Sequence, residues 1–114
     1  MTLFSISKSG KKIRLSEFYL QTISTAFLQH FGKDDHIWLF GSRVDINKRG
    51  GDIDLYVKTM ENRAFIADKM KREFILALWQ KLGEQKIDVV LNIYPFEHKL
   101  PIYKEIEEKG VLLV

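Results

Sequence analysis

Two aspartates one residue apart, Asp52 and Asp54, stand at the start of an apolar run that is typical of a β-strand. Because side chains alternate across a strand, both carboxylates point to one face, while Ile53 and Leu55 point to the other. Carboxylates at this spacing are roughly 7 Å apart and repel by about 0.6 kcal/mol in water, rising to roughly 2 kcal/mol in a cleft. The pair therefore favours a bound cation.

A second interpretation of the same residues stays open at this point. Asp52 also suits the end of a loop that contains Gly50 and Gly51, and Asp54 suits a solvated strand edge. An isolated Asp-x-Asp does not distinguish these roles from cation binding.

A glycine and a serine, Gly41 and Ser42, follow the strand-like run 37–40. Glycine allows a close approach of the backbone to a ligand, and Ser42 is expected to cap a short helix over 43–47. The hydroxyl and the free N–H groups of that turn would then face phosphate oxygens. Together with the aspartates, the turn predicts a site for a nucleoside triphosphate and Mg²⁺.

This order of motifs resembles the DNA polymerase beta-like nucleotidyltransferase superfamily, specifically its minimal single-domain branch. The resemblance extends over residues 16–114 and rests on Phe40-Gly41-Ser42 and Asp52-Ile53-Asp54-Leu55. The family has a third carboxylate on a later strand, for which Asp88 is the candidate. The implied fold is α/β (α+β), with a small mixed β-sheet of three to five strands flanked by helices.

The resemblance also implies roles for individual residues. Asp52, Asp54 and Asp88 would be the catalytic carboxylates and would hold Mg²⁺, as two ions, with ATP as substrate. Gly41, Ser42 and Arg43 would bind the nucleotide. From the residues alone, Asp88 also fits a charged start to a buried strand, and Lys48 and Arg49 fit either phosphate contacts or solvated loop positions.

Members of the minimal branch work with a small helical partner of the HEPN type, encoded nearby, as antitoxin and toxin. Their best-known activity transfers AMP from ATP to a tyrosine of that partner, and this is the implied function here. Two alternatives stay open. One is neutralisation of the partner by binding alone, and the other is nucleotidyl transfer to a small molecule in a pocket built by a partner or a second copy in a homo-oligomer.

Hydrophobic periodicity predicts the elements that would position these residues. Helices are expected at 16–31, at 62–82 and from Pro101 to just before Gly110, because apolar side chains recur every three to four residues and glycines follow each helix. Strands are expected at 37–40, 53–58, 86–92 and 111–114. The predicted core stripes are Leu20, Ile23, Phe27 and Phe31 on the first helix, and Ile66, Met70, Phe74, Leu78 and Leu82 on the second.

Composition limits the remaining choices. With 114 residues, 46% of them hydrophobic and 29% charged, one nucleotidyltransferase domain is expected over 16–114, preceded by an arm or edge hairpin at 1–15 whose basic side chains are solvated. No membrane span or signal peptide is expected, and the lack of cysteine fits the cytoplasm. The net charge of +3 is too small to argue for nucleic acid. The histidines, His30, His36 and His98, lack the spacing of a zinc site.

Overall fold

The computed structural model describes residues 3–96 and 100–114. Within these residues the order of elements is β1 (Ser5–Ile6), β2 (Lys12–Ile13), α1 (Glu17–His30), β3 (His36–Phe40), β4 (Ile53–Thr59), α2 (Ala64–Leu82), β5 (Ile87–Ile93), α3 (Pro101–Lys109) and β6 (Val111–Leu112). A 3-10 turn, Gly41–Val44, joins β3 to the loop before β4. This architecture confirms the predicted class, a small mixed sheet flanked by helices.

The main sheet has four strands in the order β5-β4-β3-β6. Strand β3 pairs antiparallel with both β4 and β6, whereas β4 and β5 are parallel. The parallel pair needs a crossover connection, which α2 provides. The loop between β3 and β4 thus returns the chain to the neighbouring strand, as predicted.

Helices α1 and α2 cover one face of this sheet. The Ser16 hydroxyl caps α1 by accepting a hydrogen bond from the Tyr19 N–H at 3.2 Å. Phe27 of α1 and Phe74 of α2 meet edge to face with ring centroids 6.1 Å apart. The predicted stripe of α1 is fully confirmed. On α2, Phe74 and Leu78 are buried, and Met70 and Leu82 are partly buried against the core. Ile66, also predicted for this stripe, is only half-buried and lies outside the core, and Ala67 is the buried residue of the first turns.

The opposite face of the sheet is covered in part by α3. Tyr56 of β4 is fully buried there and its ring stacks on Tyr103 at 5.6 Å. The Tyr56 O–H donates to Glu107 at 2.8 Å and accepts from the Asn92 amide at 3.0 Å. Burial raises the pKa of Tyr56, and the bond to Glu107 also favours the neutral phenol. The network fixes α3 to the middle of the sheet.

The N-terminal residues form a hairpin of their own. Strands β1 and β2 pair antiparallel, Ser5 with Ile13, in a two-stranded sheet that is separate from the main one. Ile13 and Leu15 are nevertheless fully buried in the main core. The predicted boundary between an N-terminal segment at 1–15 and a nucleotidyltransferase domain at 16–114 stays a prediction.

Three predicted helices differ from the structure. Helix α1 is one residue shorter at each end than expected, because Ser16 and Phe31 are its caps. Helix α2 begins at Ala64 instead of residue 62, because Arg63 has an extended backbone. The helix predicted over 43–47 is absent from its expected place among the described residues, where a tighter 3-10 turn ends at Val44. None of the described helices is at once long and apolar enough to pass through a membrane.

Candidate active site

The turn after β3 lies directly against Asp54 of β4. Gly41 has φ +78°, and a Cβ at this position would overlap a carboxylate oxygen of Asp54 and lie 3.1 Å from its Cγ. Phe40, the last residue of β3, is the register partner of Asp54. Glycine at 41 therefore satisfies two requirements, a positive φ and contact between the turn and a carboxylate.

Ser42 does not cap a helix, so this prediction is wrong. The turn starts at Gly41, with Phe40 at the cap position and no side-chain cap, because a 3-10 turn of four residues encloses Ser42. The hydroxyl lies instead at the interface of the turn and the following loop, where the Arg14 Nη2 is 3.5 Å away. It lines the cleft described below.

Strand register brings the three predicted carboxylates to one end of the sheet. Asp54 in β4 and Asp88 in β5 are register partners in the parallel pair, and Asp52 lies just before β4. The core-facing neighbours Ile53 and Ile87 fix this orientation, because they are buried on the other face. Asp52 and Asp88 each keep 53% of their side-chain surface exposed.

The carboxylates disfavour one another's charge. Burial raises the pKa of Asp54, and the negative charges of Asp88 and Asp52, together with a hydrogen bond to Asp88, raise it further. Lys86 opposes this shift. The ionised cluster is thus an unfavourable arrangement that a cation relieves.

Lys86 provides such a cation. Its Nζ lies 3.4 Å from an oxygen of Asp52 and 3.9 Å from one of Asp88. The hydrogen bond and charge of Asp52 raise the pKa of Lys86. The ammonium therefore bridges the carboxylate just before β4 and a carboxylate in β5. The sequence contains the signal for this contact, since Lys86 is two residues before Asp88 and so shares its face of the strand.

The donor chemistry of the cluster fits a hard cation, since all three side chains supply carboxylate oxygens, the ligands that Mg²⁺ prefers. In the conformation of the described residues, however, no group of three acidic, histidine or cysteine side chains is close enough to hold a metal ion. Asp54 contacts Asp88, whereas Asp52 contacts Lys86. Metal binding would require Asp52 to leave the lysine.

Arg43 is predicted to neutralise triphosphate charge, but in the structure its guanidinium is bonded to the protein itself. It donates to the carbonyls of Arg14 at 2.8 Å, Gly51 at 2.9 Å and Asp52 at 3.1 Å. Burial lowers the pKa of Arg43, and the charge of Arg14 lowers it further. These contacts show that Arg43 holds the loop that carries Asp52.

Arg14 also holds this loop in place, although it belongs to the N-terminal segment whose basic side chains are expected to be solvated. Its Nη2 donates to the Gly50 carbonyl at 2.7 Å, and its backbone N–H donates to the Arg43 carbonyl at 2.9 Å. The hairpin segment thus contacts both the turn and the loop of the site. No local pattern predicts this contact, because it joins residues far apart in the sequence.

A cleft of about 460 Å³ lies between the Gly41–Val44 turn and α3. Gly41 and Ser42 form one side, and the lysines Lys48 and Lys109 contribute positive charge. Lys109 also pairs with Glu105 at 3.4 Å. The volume is in the range of small-molecule sites. Lys48, for which the sequence allows two roles, lines the cleft with an exposed side chain. Arg49 is also exposed but does not line the cleft, and neither do the three aspartates, which lie on the other side of Gly41.

The described histidines do not contribute to this site. A ring nitrogen of His30 lies 2.8 Å from the Ala26 carbonyl oxygen, and one of His36 lies 3.1 Å from the Val114 carbonyl oxygen. Both are therefore engaged with backbone at other places in the fold. His98 lies outside the described residues.

Comparison with known families agrees with the geometry. A family model described as a nucleotidyltransferase domain matches residues 20–113, which is most of the chain. The match contains the Gly-Ser turn and the three aspartates but excludes Arg14. A comparison with curated proteins finds no match. From its motifs, its fold and this match, the chain belongs to the nucleotidyltransferase domain family.

Proposed function

We propose that the chain transfers AMP from ATP to a hydroxyl group, with Asp52, Asp54 and Asp88 as the catalytic carboxylates. The observation that carries the proposal is the pairing of Asp54 with Asp88 across parallel strands, beside a glycine turn that contacts Asp54. Nucleotidyl transfer needs carboxylates that can hold a divalent metal close to a turn that can bind phosphate, and the position of these aspartates beside the Gly41 turn supports the proposal.

Mg²⁺, held by the three aspartates, would supply charge neutralisation of the triphosphate and of the leaving pyrophosphate. The chain's own residues would do the rest. The turn at Gly41 and Ser42, with Lys48 at the cleft wall, would hold the phosphates. Asp88 would accept the proton of the attacking hydroxyl as its oxygen bonds to the α-phosphorus and the bond to the bridging oxygen of pyrophosphate breaks.

Arg43 has a different place in this proposal from the one its sequence position indicates. Its guanidinium is occupied by three carbonyls, one of them that of Asp52. We therefore assign it the positioning of Asp52, and assign contact with the phosphates to the glycine turn and Lys48.

The proposed acceptor is a tyrosine of a HEPN-type helical protein encoded nearby, with this chain as the antitoxin. Support comes from the resemblance to the minimal branch and from the open cleft, whose walls in the described residues come mainly from the Gly41–Val44 turn, from Lys48 in the loop after it and from α3. A partner that supplies the acceptor would complete such a site. The cytoplasm, where ATP is available, is the proposed compartment.

Intact-mass measurement of the partner after co-expression tests this proposal. Wild type should add AMP-sized increments to the partner, Asp52→Ala should add none, and Asp34→Ala, which removes an exposed aspartate elsewhere, should behave as wild type. A partner that co-purifies unmodified with wild type would refute transfer for that pair. That result would support the alternative, neutralisation of the partner by binding alone, which does not require the acidic cluster.

A further inference from the structure

Lys86 is held by the acidic cluster alone. Its ammonium lies 3.4 Å from Asp52 and 3.9 Å from Asp88, and the described residues give it no other ion pair. The side chain is 66% exposed, so its stem is free to rotate into solvent. Water screens both charges of an exposed ion pair, and so this contact is easily exchanged.

The position of the ammonium is the important feature. It is shared by the carboxylate before β4 and the one in β5, which are the same groups that would have to converge on a metal ion. While Lys86 occupies this place, Asp52 is directed toward the lysine, and the carboxylates of the described residues are not arranged as a metal site. The ammonium of Lys86 thus occupies the place that a divalent metal ion would take.

We propose that Lys86 is an internal counter-cation of the acidic site, which competes with the divalent metal for Asp52 and Asp88 and thereby sets the metal affinity. The inference rests on the proposed function, since it concerns the same three aspartates. In the metal-free protein the lysine neutralises the cluster, and on metal binding its side chain swings out to solvent. Lys86 is a positioning residue here, because it acts through the carboxylates.

Removal of the lysine should therefore strengthen metal binding. Lys86→Met takes away the ammonium that must be displaced from Asp52 and Asp88 before a metal ion can bind there, which should raise the affinity about three- to tenfold at moderate salt. The gain should shrink as ionic strength rises. Lys86→Arg keeps the charge and should stay close to wild type.

Mn²⁺ is a suitable probe, since it accepts the same oxygen ligands as Mg²⁺ and its free form is measured directly by electron paramagnetic resonance. The titration uses the full chain without nucleotide, in wild type, Lys86→Met, Lys86→Arg and Asp52→Asn. Lys33→Met is the matched control, because it removes an exposed lysine far along the chain from the cluster. Circular dichroism and the thermal midpoint verify that each variant is folded.

Tighter Mn²⁺ binding by Lys86→Met, with Lys33→Met and Lys86→Arg unchanged, supports the inference. Equal or weaker binding by Lys86→Met overturns it, while Mn²⁺ binding by wild type that Asp52→Asn abolishes would leave the proposed metal site standing. If neither wild type nor Lys86→Met binds Mn²⁺ in a way that depends on Asp52, the metal site itself fails, and the proposed function fails with it.

Discussion

Substitution of Gly41 by alanine should damage the fold and the site together. A Cβ at this position meets two separate costs. The positive φ of +78° is unfavourable for alanine by about 1 to 2 kcal/mol, and the methyl group would overlap the Asp54 carboxylate. Displacing that side chain adds roughly 1 kcal/mol or more, so we expect a total loss of about 2 to 3 kcal/mol. For a domain of this size the midpoint should fall by roughly 10 °C.

Gly10→Ala is the matched control. Gly10 has φ +85°, but a Cβ there would have no atom within 4 Å, so this variant carries the backbone cost without the overlap. Thermal unfolding of both variants, together with Mn²⁺ binding, separates the two costs. Asp54→Ala in the Gly41→Ala background should recover the part that is due to overlap. Equal losses for Gly41→Ala and Gly10→Ala, with Mn²⁺ binding retained, would refute the close contact between the turn and Asp54.

Three further predictions concern contacts of the site and its support. Arg43→Met should lower the unfolding free energy by roughly 2 kcal/mol in urea titration, because a charged donor to three carbonyls is lost, whereas Arg49→Met should have little effect. Tyr56→Phe should lower the free energy of unfolding by about 1 to 2 kcal/mol at neutral pH, because Glu107 and Asn92 lose their hydrogen bonds to the hydroxyl. Since the pKa of Tyr56 is raised in the fold, wild type should also lose stability as pH rises above about 10, the ordinary tyrosine range, and the Phe variant should lose less. Asp54→Asn should raise the free energy of unfolding at pH 7 by about 1 kcal/mol, because the repulsion between carboxylates is relieved, and the thermal midpoint should rise with it. The same variant should abolish transfer. Because the pKa of Asp54 is raised, its carboxylate is protonated at low pH and wild type is then free of this repulsion. The stability gain of Asp54→Asn should therefore vanish as pH falls toward 3.8, the ordinary pKa of an aspartate. A gain that persists in acid would contradict the charge argument.

The elements that the sequence predicts well are those with a periodic apolar pattern. The stripe of α1 and the alternation of Ile53, Leu55 and Val57 place both elements close to their observed bounds, since burial against the sheet decides both. The same alternation predicts that Asp52 and Asp54 point away from the core. The place of Asp88 follows once β5 lies beside β4, which the register shows.

Other contacts of the site are not encoded in sequence spacing. The sequence predicts that Ser42 caps a helix, but the turn is of the 3-10 type and begins one residue earlier, where Gly41 packs against Asp54. Arg43 follows the turn directly, yet its guanidinium reaches back to Arg14 in the hairpin segment. Such long-range bonds are decided by the folded surface, which a local pattern does not contain.

The parallel pairing of β4 and β5 has a consequence for which changes the chain can tolerate. Along both strands, residues of the core face alternate with residues of the opposite face, on which Asp54 and Asp88 lie, so the register that buries Ile87 is the one that sets Asp88 opposite Asp54. Loss or gain of a single residue within either strand would exchange the two sets and expose the core while burying carboxylates. Lengthening of the exposed 46–49 loop would leave this frame intact. Changes that accumulate in this chain are therefore expected to be substitutions within these two strands, whereas the 46–49 loop can also change in length.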